Sequence, residues 1–176
     1  QWRKAVETHR AALELRRDGQ NQNEIVQSLS NLAVVHLMRA DLRQAAALLQ
    51  EAYVMAQRLK QKRRARICLV NLAWLRRQQG NLAAALELAH EAESLALALE
   101  RRQSVGDARV QRGLIYYELK DGEQALATFQ AAVRIWEKEA QRHLLRETRI
   151  FVAKTAVLLG DLSLARHELM LVVDEL

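Results

Sequence analysis

The chain has 176 residues and a formal net charge of +6, from 27 lysines and arginines against 21 aspartates and glutamates. Proline is absent, glycine occurs six times and half of the residues are apolar, so we predict an almost wholly helical protein. No apolar run approaches the roughly 18 to 20 residues that span a bilayer, the one cysteine cannot form an internal disulfide, and no signal segment is visible. These features favour a cytoplasmic location without membrane contact.

Small residues recur at a period of 40 along the whole chain. The three series are Ala5, Ala45, Ala85, Ala125 and Ala165; Ala12, Ala52, Ala92, Ala132 and Val172; and Ala33, Ala73, Gly113 and Ala153. Self-similarity at such a period is typical of a solenoid. Because helices that cross closely need a small residue at the contact, we predict that these series lie between packed helices.

Each unit of 40 residues is predicted to be an antiparallel pair of helices. In chain order, the predicted helices cover about 2–17, 24–39, 41–59, 65–79, 82–98, 104–119, 122–138, 143–159 and 162–175. Asp41 can cap the helix that follows it. The first helix matches only the second helix of a unit, so the single array 1–176 is predicted to contain a half repeat at 1–17 and four repeats at 24–59, 65–98, 104–138 and 143–176.

The recurring motif resembles the tetratricopeptide repeat over the whole chain. Its first two copies are Asn31-Leu32-Ala33 through Ala40-Asp41 to Ala45 and Ala52, and Asn71-Leu72-Ala73 through Gly80-Asn81 to Ala85 and Ala92. Further landmarks are Tyr116 and the large apolar position filled by Leu49, Phe129 and Leu169. The proline-free, longer period is similar to that of kinesin light chains, polarity-complex adaptors and the sensor repeats of bacterial signalling regulators. The resemblance implies an all-α, right-handed superhelical solenoid of about nine helices.

In that family, one face of each first helix lines a concave groove where peptides bind. This face is apolar along its middle in the present chain, and an apolar strip with a polar rim is typical of a partner site. The candidate residues are Asn31, Val34, Leu37, Met38, Val70, Asn71, Trp74, Arg77, Gln78, Gln111, Leu114, Tyr117 and Phe151. We expect a peptide or an amphipathic helix to bind there with Trp74 as the main anchor. The resemblance also implies that Asn31 and Asn71 hold the peptide backbone. The alternative is that these side chains only pack between neighbouring first helices.

Cations recur at the predicted links between repeats. They are Lys60, Lys62, Arg63, Arg64, Arg101 and Arg102, which we call the basic edge. Stacking of the repeats would bring them to one edge, where nucleic acid or an acidic neighbouring domain could bind. Nucleic acid is disfavoured, because Glu100 dilutes the charge, no aromatic residue is interleaved for base stacking, and the dipole favours cations near helix C-termini anyway.

No residue pattern indicates catalysis, a cofactor or a metal site. The five histidines are scattered in the repeat, and the glycines form no phosphate-binding loop. Cys68 lies in an apolar stretch, where we expect a buried and unreactive thiol. We therefore predict a chain that is not an enzyme.

The function predicted from the sequence is a protein-interaction module. Its partner would be a protein, a peptide or a neighbouring domain, since a chain that begins inside an amphipathic helix without methionine is expected to be part of a longer protein. Two alternatives stay open. One is an effector-sensing array of a multidomain signalling ATPase or transcription regulator. The other is a scaffold or self-association segment that forms a homodimer through its terminal helix.

Overall fold

A computed structural model describes residues 2–19 and 21–174, where every regular element is an α-helix. The nine helices in these ranges are α1 (Trp2–Asp18), α2 (Gln22–Met38), α3 (Leu42–Arg58), α4 (Lys62–Gln78), α5 (Leu82–Ala98), α6 (Arg102–Glu118), α7 (Gly122–Lys138), α8 (Arg142–Leu158) and α9 (Leu162–Asp174). The predicted all-α repeat fold is confirmed.

One turn geometry ends every helix from α2 to α8. In the α2–α3 turn, the N–H groups of Asp41 and Ala40 donate to the carbonyl oxygens of His36 and Leu37, both at 2.9 Å, which is the Schellman pair of hydrogen bonds. The same pair recurs at the six later turns. Each turn holds one residue with positive φ, namely Ala40, Lys60, Gly80, Glu100, Lys120, Ala140 and Gly160. The backbone pattern therefore repeats every 20 residues.

The links between the predicted repeats are consequently shorter than expected. Helices α4, α6 and α8 begin at Lys62, Arg102 and Arg142, whereas the sequence pattern placed their starts at about 65, 104 and 143. The prediction was wrong here because Lys60, Glu100 and Ala140 adopt the left-handed conformation without a sequence typical of it.

Asn21 caps α2 by accepting the backbone N–H of Glu24 at 3.3 Å, and from α3 onward capping side chains occur only before the second helix of each pair. Asp41, Asn81, Asp121 and Asp161 each accept the backbone N–H three residues on, at 3.4, 3.2, 3.1 and 2.9 Å. The cap predicted at Asp41 is thus confirmed. Helices α4, α6 and α8 follow Gln61, Arg101 and Gln141, none of which makes a capping side-chain bond. The geometry of the turns repeats every 20 residues, but from α3 onward the caps recur only at every second turn. The sequence pattern therefore has a period of 40.

The chain folds as two compact units. The N-terminal unit runs to Leu95, and the C-terminal unit starts at Ala96. In the first, α1 to α4 pack in chain order around Leu29 and Leu49; in the second, α6 to α9 do so around Phe129 and Trp136. The predicted burial of the small-residue series holds at its central members, Ala33, Ala45, Ala52, Ala85, Ala92, Ala125 and Ala132.

Two glycines in α6 let aromatic rings of α7 approach its backbone. A Cβ atom on Gly113 would lie 2.5 Å from Cε1 of Phe129, and one on Gly106 would overlap the ring of Trp136. The indole Nε1 of Trp136 then donates to Oγ1 of Thr148 on α8 at 3.0 Å. Close packing, which the sequence predicted for Gly113, explains a residue that costs a helix interior about 1 kcal/mol relative to alanine.

The apolar position shared by Leu49, Phe129 and Leu169 is not equivalent in all three repeats. Leu49 and Phe129 are fully buried, but Leu169 on α9 is 47% exposed. Leu169 is exposed because, among the described residues, no helix follows α9 to cover that face.

Substituting leucine for Ala85 or Ala125 tests the packing of the small-residue series. Both alanines are fully buried, so the larger side chain must push helices apart, and we expect each change to lower the free energy of unfolding by about 1 to 3 kcal/mol. Urea denaturation measures this. The matched controls are Ala83→Leu and Ala127→Leu on the exposed faces of the same helices. Equal stability of core and control variants would contradict the packing described above.

Candidate interaction surface

The candidate residues other than Leu37 lie on one face of the first helices, which we call the first-helix stripe. In the N-terminal unit this stripe belongs to α2 and α4, which are neighbours. The hydroxyl of Ser30 and the thiol of Cys68 lie 3.4 Å apart, and Nη1 of Arg64 donates to Oε1 of Gln27 at 3.3 Å. These contacts hold α2 beside α4, so their parts of the stripe lie on adjoining helices.

In the N-terminal unit, the residues of the stripe differ in how far their side chains are exposed. Exposed members are Asn31, Met38 and Gln78; half-buried members are Val34, Val70, Asn71, Trp74 and Arg77. Trp74 packs on the core cluster that contains Leu37 and Leu49. Trp74 therefore presents part of its indole ring to solvent and uses the rest in packing.

Leu37 does not belong to an open surface. Its side chain is 4% exposed and lies in the same core cluster as Ala33. The assignment of Leu37 to the groove was wrong because it follows Ala33 by four residues and so shares the packed face of α2.

In the C-terminal unit the stripe runs over α6 and α8. Gln111, Leu114, Tyr117 and Phe151 are all half-buried there. The Phe151 ring stacks on that of Phe129, with centroids 5.4 Å apart and planes 15° from parallel. This contact gives Phe151 a structural role in addition to its place on the stripe.

Two lysines extend this aromatic surface and were not among the candidates. Nζ of Lys154 lies 5.7 Å from the centroid of the Phe151 ring, and Nζ of Lys120 lies 5.8 Å from that of Tyr117. Such cation–π contacts keep a positive charge over the aromatic face. The signal in the sequence is the spacing, since each lysine follows its ring by three residues.

The described residues hold neither a metal cluster nor a membrane-spanning helix. Within 2–19 and 21–174, no three histidines, cysteines or acidic residues converge as metal ligands would. In the same ranges, no helix combines the length and apolar character needed to cross a bilayer. The stripe, together with the two lysines beside it, offers half-buried rings, amides and positive charges. Such groups suit the recognition of a partner.

Burial raises the pKa of two groups in the N-terminal unit, the Cys68 thiol and the Tyr53 hydroxyl. It raises the pKa of the Cys68 thiol, an effect that the hydrogen bond from Ser30 partly offsets, and the buried thiol predicted at this position is confirmed. Burial, followed by the hydrogen bond to Glu91, raises the pKa of Tyr53 to about 12. The Tyr53 hydroxyl donates to Oε1 of Glu91 at 2.8 Å and accepts from Nε2 of Gln57 at 2.9 Å.

The raised pKa of Tyr53 predicts a loss of stability in alkali. Below pH 10 the hydroxyl is protonated in both the folded and the unfolded chain; between pH 10 and about 12 only the unfolded chain releases the proton, so stability falls as pH rises. We expect Tyr53→Phe to make this fall shallower. Urea denaturation of both proteins at several pH values from 8 to 11 measures the slopes. Parallel slopes would show that Tyr53 ionises alike in both states.

The basic edge lies mainly inside helices. Lys62, Arg63 and Arg64 occupy the first turn of α4, and Arg102 begins α6. All members are exposed except Arg64, which is half-buried against Gln27. The helix dipole disfavours cations at an N-terminus, so the explanation offered for these positions from the sequence, stabilisation at helix C-termini, was wrong.

Comparison with known proteins is informative for the fold. A family model described as tetratricopeptide repeat matches residues 25–59. No curated protein sequence matches the chain significantly. Similar solved structures include BtubC (BKLC) from P. vanneervenii, with a TM-score of 0.66 and 16% identity over 99% of this chain and 90% of that one.

Two further structures agree more closely in shape. RapI in its apo form has a TM-score of 0.84 and 14% identity over 99% of this chain and 50% of RapI. A putative kinesin light chain from Podosopora anserina, described as having nearly identical TPR-like repeats, has a TM-score of 0.76 and 15% identity over 99% of this chain and 87% of that one. At these identities the likeness concerns the fold, and this chain spans half the length of RapI.

Proposed function

Because residues 25–59 match a tetratricopeptide-repeat model and the chain shares its fold with a structure described as having TPR-like repeats, we propose that it is a non-catalytic interaction module that holds a peptide or partner helix on the first-helix stripe. Repeats of this type support a protein-interaction or scaffold role. The observation that carries the finer proposal is the partial exposure of Trp74 beside the half-buried amide of Asn71. Part of an indole ring beside an amide gives both an apolar anchor and a hydrogen-bonding group.

The chemistry of the stripe suits a peptide backbone. The side-chain amide of Asn71 offers a donor and an acceptor, which together match the peptide group of a bound chain. Val34 and Val70, both half-buried, supply apolar area on the neighbouring helices α2 and α4. The exposed amide of Asn31 adds a second polar group on α2. We place this module in the cytoplasm as part of the same proposal, since its cysteine is a buried free thiol.

Asn71→Ala is the variant that best tests peptide binding. A peptide selected from a displayed random library on the wild-type protein is labelled, and its affinity is measured by fluorescence anisotropy. We expect Asn71→Ala to weaken binding about 5- to 10-fold, because one or two hydrogen bonds are lost, with the melting temperature unchanged. Gln50→Ala, an exposed amide on α3 outside the stripe, should bind as the wild type does.

Trp74→Ala separates recognition from packing in the same assay. If Trp74 is the anchor, its removal weakens binding more than it lowers stability; if the ring only packs on α2 and α3, binding and melting temperature fall together. Unchanged affinity in both Asn71→Ala and Trp74→Ala would exclude the stripe as the peptide site.

Self-association through α9 is a second candidate function, which one observation favours. Leu162, Leu169, Met170 and Val173 on this helix are all exposed. Exposed apolar side chains concentrated on one helix are typical of an interface.

Leu169→Glu tests the pairing of α9. We expect the wild type to show a mass that rises with concentration in sedimentation equilibrium, and the variant to stay monomeric, since a buried carboxylate would oppose contact. The control is Leu15→Glu, an exposed leucine of α1. A wild type that is monomeric at every concentration would exclude this function.

A further inference from the structure

The C-terminal unit contains a cleft that no residue of the first-helix stripe lines, although Arg102 of the basic edge does. It has a volume of about 410 Å³ and lies at the end of the α6–α7 pair that is remote from the turn at Lys120. Val105 of α6 and Ile135 of α7 form its apolar floor, together with Leu97 at the end of α5. Leu97 is 55% exposed, so the cleft leaves an aliphatic side chain open to a ligand.

The remaining wall of the cleft is strongly cationic. Arg102, Arg109, Arg134 and Lys138 line it, and Glu139 is the one carboxylate among its described lining residues. Glu139 lies 4.0 Å from Nη1 of Arg102, whose side chain is 75% exposed, so this pair is loose. Arg102, Arg134 and Lys138 are exposed, so three cations of this wall are accessible to an anionic ligand.

The start of α6 adds to the positive potential at this place. Its first turn contains no acidic residue, and the residue before it, Arg101, makes no capping side-chain bond. Arg101, Arg102 and Glu100 line a second hollow, of about 350 Å³, that shares Leu97 and Val105 with the cleft. A cation at a helix N-terminus opposes the dipole, and an anionic ligand would relieve that opposition.

We propose that this cleft binds an acidic peptide segment through carboxylates on the cationic wall and one apolar side chain on the floor. Guanidinium groups pair with carboxylates through two parallel hydrogen bonds, which suits the exposed Arg102 and Arg134 of this wall. The apolar floor favours this ligand over single-stranded nucleic acid, whose bases stack on aromatic side chains, since none lines the cleft.

The probe is a fluorescein-labelled peptide in which one leucine stands between two runs of glutamates. Its affinity for the protein is measured by anisotropy at physiological salt. We expect the double variant Arg134→Glu/Lys138→Glu to weaken binding at least about tenfold, through the loss of charge-assisted hydrogen bonds. Arg134→Gln/Lys138→Gln should weaken it by a smaller factor, which gives a second measurement if the reversal disturbs folding.

A double-mutant cycle tests the apolar contact. Leu97→Ser should weaken binding of the leucine peptide about fivefold and leave the affinity of a serine-substituted peptide unchanged, because the two leucines then contact each other. If Leu97→Ser weakened the binding of both peptides by the same factor, Leu97 would not contact the leucine of the peptide, and the proposed binding mode would be overturned.

The matched charge control is Arg43→Glu/Arg58→Glu, which changes the net charge equally at exposed positions of the N-terminal unit. An equal loss in this control would reduce the binding to general electrostatics and overturn the proposal. So would the absence of peptide binding to the wild type, or an oligothymidine that binds more tightly than the peptide through the same cations. Since the cleft shares no residue with the first-helix stripe, Asn71→Ala should leave this peptide's affinity unchanged, so the two proposals fail separately.

Discussion

The left-handed residue at each turn is the constraint on which this structure depends. With one such residue every 20 positions, the chain reverses after helices of equal length, and the same carbonyl groups are satisfied each time. Five of the seven residues carry side chains, which makes this conformation unfavourable by itself. The packing of the helices on both sides must therefore hold the turns in place. Stability in such a fold comes from contacts between neighbouring helices rather than from the turn sequences.

The sequence predicted the fold because three requirements of the repeat fall at fixed positions. Small residues at crossings, Asx caps before second helices and apolar stripes all recur at 40, and the tetratricopeptide-repeat resemblance drawn from them is confirmed. The helix starts after Lys60, Glu100 and Ala140 escaped prediction, since nothing in those residue types marks a turn. A turn set by tertiary packing leaves no local signal.

The exposure of the proposed interaction surface was predictable in outline but not residue by residue. Spacing placed Trp74 and Asn71 on one face, yet it could not separate Leu37, one position short of exposed Met38, from the core. The ion pairs of Arg149, whose side chain is largely buried, could not be predicted from the pattern either. Arg149 of α8 pairs with Glu168 and Glu137, each at 2.8 Å, and so joins α7, α8 and α9. Periodicity describes one helix at a time, whereas these pairs and the cationic cleft depend on side chains from several helices.

The missing side chain of Gly113 has a consequence for recognition. Because Phe129 fits against the α6 backbone at that point, its ring can stack on the ring of Phe151. The ammonium group of Lys154 in turn lies over the Phe151 ring. The aromatic surface on α8 is thus held in its orientation by the core before any partner arrives. A ligand that binds there meets a pre-organised ring, and less conformational entropy is lost on association than a mobile side chain would require. At the proposed site, the glycine would thus influence affinity without touching the ligand.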